Sequence, residues 1–327
     1  MHLNVRTTVT AVLALAIGLT TACNAFAQAK PAAKASIRLD WKAGAQHAPF
    51  YYAKDKGYYT AEGIDLQIIP GSGSSDSVKQ VGAKAVDFAL VDALVLVQGA
   101  EQRVPVKAIA AYYERTPIVM MSPKAKPVTD VKQLLGDVKL GSKKGSSTFQ
   151  GLVALLGANN IKMENIKLVD IGFGVQPLLV KQVDAMMGFT MNEPIEAESA
   201  GMPIFELSIA DQGVKAYGLT IVSNDEFIKT RGTVVEAFLR ATRKAVEETA
   251  QNKQAVVQAV AKQVSEIDVK REMAVLERTI PFLTGKGIAF GAQSEQAWTQ
   301  TINTAKTLGL VEKAPATRDV YTAAFSK

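Results

Sequence analysis

Alternating apolar positions near the N-terminal third of the chain predict a strand, a loop, an aromatic helix and a second strand. The alternating residues are Ile37, Leu39 and Trp41 in the first strand and Ile64, Leu66 and Ile68 in the second. A period of two is typical of strands with one buried face. Pro49 suits the first position of the intervening helix, because its missing N–H has no helical partner there. Lys56-Gly57 marks the end of that helix.

A similar order of elements occurs twice in the middle of the chain. Residues 81–110 and 179–209 each contain a helix end, Val-Asp, a short buried strand, a helix and a Pro-led strand. The Gly-rich turns upstream also correspond, 71–73 with 172–174. Such an internal repeat predicts two lobes of like architecture that face each other across a cleft.

The remaining pattern predicts an α/β fold with mainly parallel sheets flanked by helices. Residues 138–142 read as a strand, 216–222 as a strand crossing back to the first lobe, and the chain from Asn224 as amphipathic helix. The chain exceeds the usual size of a single core, so two lobes are expected. We predict lobe I over residues 36–121 plus 224–327 and lobe II over 122–223. The hinge crossings are expected near 120–124 and 221–225.

The N-terminus predicts export. Residues 1–27 carry Arg6, an apolar run from Val9 to Leu19 and a small-x-small end, which is typical of a signal peptide and too short for a membrane span. A lipid anchor on Cys23 is the alternative. We expect the mature protein to be periplasmic and soluble.

Composition narrows the function classes. Removal of Arg6 lowers the formal net charge from +6 to +5, and basic residues form no run interleaved with aromatics, so no nucleic-acid partner is expected. His47 is the only histidine after the signal, and Cys23 the only cysteine. A His₂ or Cys-rich zinc site and Cys–His catalysis are therefore excluded. We expect no cofactor and no enzymatic activity.

Two Gly/Ser-rich turns precede predicted helices and are candidate anion sites, because the first N–H groups of a helix and its dipole favour negative charge. The candidate residues are Ser72, Gly73 and Ser74 in the first turn and Ser146, Ser147 and Thr148 in the second. Alternatively, Ser75 and Ser147 only cap their helices. Neither turn has the Gly-Lys-Ser/Thr of a nucleotide-hydrolysing loop.

The stretch from Trp41 to Asp65, with His47, Lys56-Gly57 and Gly63-Ile64-Asp65 at their spacing, resembles periplasmic solute-binding proteins of ABC importers. Within these it is similar to the branch that binds thiamine-pyrimidine precursors, sulfonates and nitrate, and the resemblance spans residues 36–250. Yeast-type pyrimidine synthases share the scaffold. The resemblance implies a type II two-lobed periplasmic-binding-protein fold, a monomer, and partnership with a membrane permease and its ATPase.

The aromatic residues and His47 are the candidate contacts on the first lobe. Trp41 and Tyr51 are expected to stack on a flat solute, although Trp41 could instead fill the core. Helical spacing prevents Phe50, Tyr51 and Tyr52 from all facing the cleft. The resemblance places His47 beside the ligand. A lone histidine is more often structural, and both interpretations stay open.

Three further residues are candidates. Glu193 begins a helix although Glu is a poor N-cap, and the resemblance implies that it pairs with the amino group of an aminopyrimidine. A surface ion pair is its alternative. Asp92 ends a buried strand, and a structural role is favoured for it. Tyr217 lies where the resembling synthases carry a cysteine-rich motif that this chain lacks.

The sequence thus predicts a solute-binding component of an ABC importer that captures a small, flat heteroaromatic molecule. The alternatives left open are an aromatic carboxylate, an alkyl sulfonate or an oxyanion as the solute, and an exported enzyme acting on such a molecule.

Overall fold

The computed structural model describes residues 32–283 and 289–325. The predicted signal peptide, with Cys23, lies outside the described residues. The strands are β1 (Ala33–Arg38), β2 (Ile64–Ile69), β3 (Phe88–Asp92), β4 (Val106–Ala111), β5 (Ile118–Pro123), β6 (Lys139–Ser142), β7 (Lys167–Asp170), β8 (Ala185–Phe189), β9 (Ile204–Ser208) and β10 (Leu219–Asn224). The helices are α1 (Ala48–Asp55), α2 (Tyr58–Ala61), α3 (Ser74–Gly82), α4 (Ala93–Glu101), α5 (Ser147–Ala158), α6 (Gln176–Leu179), α7 (Glu193–Ser199), α8 (Asp225–Thr230), α9 (Gly232–Thr249), α10 (Lys253–Ala261), α11 (Val269–Leu283), α12 (Glu295–Thr307) and α13 (Thr317–Val320). Of the described helices, none combines the length and apolar character that a membrane crossing requires.

The strands form two sheets with the same topology. The first sheet has the order β2-β1-β3-β10-β4, and the second has the order β7-β6-β8-β5-β9. In each sheet four strands share one direction, and the strand that arrives from the other sheet, β10 or β5, is antiparallel to its neighbours. The α/β fold with two lobes and mainly parallel sheets is therefore confirmed.

The internal repeat corresponds to equivalent parts of the two sheets. The unit β3-α4-β4 in the first repeat occupies the place that β8-α7-β9 occupies in the second. The two Gly-rich turns also match, because 71–73 follows β2 and 172–174 follows β7. The faint sequence similarity thus reports a real duplication of architecture.

The connections between the sheets differ from the predicted crossings. The predicted boundaries after residues 121 and 223 fall inside β5 and β10, and the connections are residues 112–117 and 209–218. The predicted return of residues 216–222 to the first lobe agrees with the place of β10 in the first sheet, whereas β5 is a buried strand whose pattern does not show which sheet it joins. The connections run side by side, since Gly218 N–H donates to Tyr113 O at 3.1 Å. A Cβ on Gly218 would lie 2.5 Å from Arg115 O, so only glycine permits this approach.

Three apolar clusters hold the layers together. One joins β1–β3 to α1 and the C-terminal helices α9–α11 and includes Phe50, Phe88 and Phe238. A second lies under α4, α5 and α12 around Trp298, and it is continuous between the lobes. A third, smaller cluster packs α6 and α7 against the second sheet. The amphipathic helices predicted after Asn224 supply much of the first two clusters.

Candidate functional site

A cavity of about 400 Å³ lies between the two lobes, at the C-terminal ends of their parallel strands. The first lobe contributes Asp40 and Trp41 after β1, and residues 72–76 with Lys79 after β2. The second lobe contributes residues 143–148 after β6, Phe173 after β7, Phe189 at the end of β8, and Asn192 and Glu193 after it. Strand ends of this kind are where open α/β sheets bind ligands. The volume suits a small organic molecule.

Trp41 meets an aromatic ring of the opposite lobe. Its ring centroid is 4.6 Å from that of Phe173, and the two planes are inclined by 54°. Phe173 is 59% exposed, and the Lys143 ammonium lies 5.9 Å from its centroid. Trp41 is half-buried on the lining, rather than in the core between sheet and helix. The two rings therefore give the cavity an aromatic edge on each lobe.

The N-terminus of α3 opens onto the cavity without a side-chain cap. Its N-cap is Gly73, whose φ of +124° is a conformation that L side chains rarely adopt. Gly73 has no side chain that could cap the helix, and the Ser72 hydroxyl before it donates to Asp76 Oδ2 at 3.1 Å. The interpretation of Ser75 as the cap is therefore wrong. The first N–H groups of α3 remain open to an acceptor in the cavity.

The N-terminus of α5 faces that of α3 and is capped. The hydroxyl of Ser146 accepts from Phe149 N–H at 3.2 Å and lies 2.8 Å from the Thr148 hydroxyl. The cap is thus Ser146 rather than Ser147. Ser147 instead reaches across the cleft, where its hydroxyl donates to the Ser74 hydroxyl at 3.4 Å. The two Gly/Ser-rich turns therefore meet in one place across the cleft.

Basic side chains surround these two helix ends. Lys79, Lys143 and Lys144 line the cavity, and none forms an ion pair within the described part of the chain. Asp76 is different, because Arg38 binds its carboxylate at 2.6 Å. Burial raises the pKa of Asp76, but hydrogen bonds from Arg38 and Ser72 outweigh burial and hold that pKa below its usual range. The charge of Asp76 is thus balanced by Arg38. The three ammonium groups have no carboxylate partner among the described residues.

Glu193 brings a carboxylate to the opposite wall. It is the first residue of α7, and its Oε2 accepts from Phe189 N–H at 2.7 Å. Burial raises the pKa of Glu193, although the N–H groups of Phe189 and of Glu193 itself act in the other direction. A half-buried carboxylate with one oxygen already held is suited to accept from a ring N–H. The surface ion pair considered as its alternative is not formed among the described residues.

The structure separates His47 from the cavity. The imidazole is 0% exposed, and its Nε2 lies 2.8 Å from Asp40 Oδ1. Asp40 lines the cavity and stands between His47 and any solute. The predicted direct contact of His47 is therefore corrected to a position behind Asp40. In the loop after β1, the Asp40 carboxylate faces the cleft and the His47 imidazole is buried in the core.

Tyr51 also lies away from the cavity. Phe50, Tyr51 and Tyr52 are all buried, because α9 and α10 pack over α1 and take up the whole aromatic face of that helix. Helical spacing predicts that not all three can face the cleft, and none of them lines the cavity. The predicted stacking role of Tyr51 is wrong.

Asp92 and Tyr217 have structural positions. Asp92 is the N-cap of α4, where its Oδ1 accepts from Leu94 N–H at 3.0 Å, and burial raises its pKa to about 7. Tyr217 lies in the connection before β10, packs on Trp298 at 5.1 Å and accepts from Ser294 N–H. Neither lines the cavity, because β3 ends beneath α4 and residue 217 faces α12.

Sequence reasoning missed several lining residues, namely Asp40, Lys79, Lys143, Lys144 and Phe173. Two signals pointed to some of them. Lys143 and Lys144 directly precede a turn already singled out, and Phe173 stands between two glycines of the repeated turn. Asp40 neighbours Trp41 and follows the same strand.

Two like lobes around a cleft at their strand ends define the periplasmic-binding-protein fold. Among solved structures, the periplasmic aliphatic sulphonate binding protein SsuA of Escherichia coli superposes with a TM-score of 0.71 at 14% identity, covering 88% of this chain and 92% of that one. At that identity the similarity shows the fold alone.

The family follows from the sequence match. The NMT1/THI5-like family matches residues 44–256, and the chain belongs to that family. The riboflavin-binding protein RibY of Chloroflexus aurantiacus is 25% identical over 338 aligned positions, covering 95% of both chains. The formylaminopyrimidine-binding protein of Halalkalibacterium halodurans is 24% identical over 274, covering 82% of this chain and 83% of the relative.

Proposed function

We propose that the chain is the extracytoplasmic solute-binding component of an ABC importer, and that it holds a small, flat heteroaromatic solute of the pyrimidine or thiamine-precursor kind. The observation that carries this proposal is the cleft itself, with an aromatic ring on each wall and Glu193 on one of them. Aromatic faces bind flat rings, and a carboxylate discriminates for ring N–H donors, since its charge would otherwise be desolvated without a partner. Relatives named for binding riboflavin and formylaminopyrimidine support the same class.

In this role the protein is exported through its N-terminal signal, acts as a monomer and delivers the solute to a permease driven by a cytoplasmic ATPase. It performs no chemistry on the solute. The described lining residues include neither histidine nor cysteine, and no group of acidic, histidine or cysteine side chains in the described chain could hold a metal ion.

An anionic solute is the second candidate, and a separate observation favours it. Two helix N-termini and the ammonium groups of Lys79, Lys143 and Lys144 converge on the cavity. Such an arrangement suits a carboxylate, sulfonate or oxyanion. Glu193 opposes a ligand that is only an anion, because like charges repel across the small cavity. A flat ring that also carries an anionic group would satisfy both sets of residues.

Thermal unfolding with a panel of solutes tests the proposal. The panel is riboflavin, formylaminopyrimidine, thiamine, benzoate, an alkanesulfonate and nitrate, each at rising concentration. A bound solute at 100 times its Kd stabilises the fold by about 2.7 kcal/mol, so riboflavin or formylaminopyrimidine should raise the Tm. The Trp41→Ala variant should lose most of that rise. A rise with nitrate or the alkanesulfonate alone would favour the second candidate, and would contradict a heteroaromatic solute.

A further inference from the structure

Asp40 lies on the first-lobe wall of the cavity with one carboxylate oxygen bound and the other open. Its Oδ1 is 2.8 Å from His47 Nε2, whereas Oδ2 has no partner within the described chain. The main chain of Asp40 is fixed as well, because Gly73 N–H donates to its carbonyl at 2.8 Å. The carboxylate therefore has a defined place beside Trp41, and a free acceptor on the cavity.

His47 determines how that carboxylate is aimed. The imidazole is 0% exposed, and its Nδ1 is buried without a hydrogen-bond partner in the described structure. A proton on Nδ1 would be a buried donor without an acceptor, which is costly, so the geometry assigns the ring proton to Nε2. Nε2–H then donates to Asp40 and fixes its rotamer.

The loop that carries His47 is itself anchored by buried groups. The carboxylate of Glu272, on α11, accepts from Ala45 N–H. The carbonyl of Gln46 accepts from the hydroxyls of Tyr112 at 2.9 Å and Tyr113 at 3.3 Å. Both tyrosines belong to the connection between the sheets. His47 is thus held rigidly. A preorganised binding residue such as Asp40 requires a supporting residue that is itself fixed.

The opposite wall has a matching arrangement. Glu193 has one oxygen held by Phe189 N–H, as Asp40 has one held by His47. From this we infer that Asp40 is a specificity-determining residue that accepts an N–H of the solute, and that His47 is its positioning residue. This inference rests on the proposed function and narrows the solute to a flat nitrogen heterocycle with an N–H donor on the edge that faces the first lobe. A ring lacking the donor on the Trp41 side would leave the Asp40 charge desolvated and unpaired.

Calorimetric titration of purified protein tests the inference with riboflavin and formylaminopyrimidine as probes. Asp40→Asn keeps the shape of the side chain but removes its charge. It should raise the Kd of the probe that binds wild type by at least tenfold. In His47→Gln the amide can replace the Nε2–H donor, so the Kd should stay within about threefold of the wild-type Kd. His47→Phe, which cannot donate, should weaken binding toward the Asp40→Asn value. The double variant Asp40→Asn/His47→Phe should be no weaker than Asp40→Asn, because the two residues act through one contact.

A selectivity measurement separates binding from a structural role. Wild type should prefer formylaminopyrimidine over its analogue without the ring amino group, or riboflavin over its N3-methyl analogue, and Asp40→Asn should reduce that preference. Unfolding curves of each variant confirm that it is folded. Unchanged affinity and preference in Asp40→Asn would overturn the inference while leaving the proposed function intact. Wild-type protein that binds neither probe would overturn both.

Discussion

At the scale of single residues, Asp92 shows how burial decides a role. It ends β3, is 1% exposed and caps α4 through Leu94 N–H. Burial raises its pKa from 3.8 to about 7, although the N–H groups of Leu94 and Val95 act against this shift. The folded protein therefore keeps the Asp92 proton at pH values where the unfolded chain has lost it.

This shift gives a pH prediction. Protonated Asp92 stabilises the fold fully below about pH 4. This contribution is lost as the pH rises to about 7, and stability changes no further through this group above that pH. Asp92→Asn does not titrate and keeps an oxygen for Leu94 N–H. Its free energy of unfolding should therefore rise relative to wild type between pH 4 and 8, by up to about 4 kcal/mol. Urea unfolding at several pH values measures the difference, with the exposed Asp137→Asn as control. A difference independent of pH would contradict the assignment.

The sequence predicts lining residues where local rules suffice. Trp41 follows a strand with a clear period of two, and the Gly/Ser turns precede helices, so their approximate place at the strand ends is local information. Tyr51 and His47 could not be placed in this way. Their burial depends on α9, α10 and Glu272 of α11, which are some two hundred residues away in the chain. Solute contact by the lining residues stays a prediction.

At the scale of secondary structure elements, α11 connects the two walls of the cleft. Its buried face packs against the first lobe through Val275 and Leu276, and Glu272 fixes the His47 loop. On its other side, Arg278 donates to Thr190 O at 3.0 Å and pairs with Glu206, while its second nitrogen binds Glu198 at 2.9 Å. These partners belong to the second lobe. The helix lies beyond the family-matched segment 44–256.

This bridge predicts that Arg278 holds the lobes close together. In Arg278→Met the lobes should part more readily, because the variant loses the forked contact to the second lobe. Trp41 would then leave Phe173, and acrylamide should quench its fluorescence more strongly. Trp298 is 0% exposed and supplies a constant background. Arg278→Lys, with one point charge in place of the fork, should be intermediate.

A matched control is available on the same lobe. Arg240 forms a similar surface pair with Glu62 at 2.7 Å, but both partners belong to the first lobe. Arg240→Met should leave Trp41 quenching at the wild-type level. Equal quenching in the Arg240 and Arg278 variants would mean that α11 does not control the separation of the lobes.

At the scale of the whole molecule, the lobes are in contact across the cleft. Trp41 touches Phe173, and Ser147 donates to Ser74 at 3.4 Å. The duplicated architecture was predictable, because repeated βα units leave a pattern in the sequence. The return of the chain to the first sheet at β10 was also predicted, but the place of β5 in the second sheet was not, since a buried strand carries no mark of its partners. A solute favours this arrangement only if it binds it better than an open one.

A reversible crosslink tests whether solute exchange requires the lobes to part. The Ser74 and Ser147 hydroxyls are close enough that cysteines at both positions should form a disulfide without large backbone movement. In a Ser74→Cys/Ser147→Cys variant with Cys23→Ser, oxidation should trap the lobes together. Exchange of a bound probe, followed by Trp41 fluorescence, should then slow by at least tenfold and recover on reduction, because the route into the cavity runs between the crosslinked helix ends. Each single-cysteine variant is the control and should exchange at the wild-type rate with or without oxidant. A disulfide that forms fully but leaves exchange unchanged would show that the solute enters without separation of the lobes at this point.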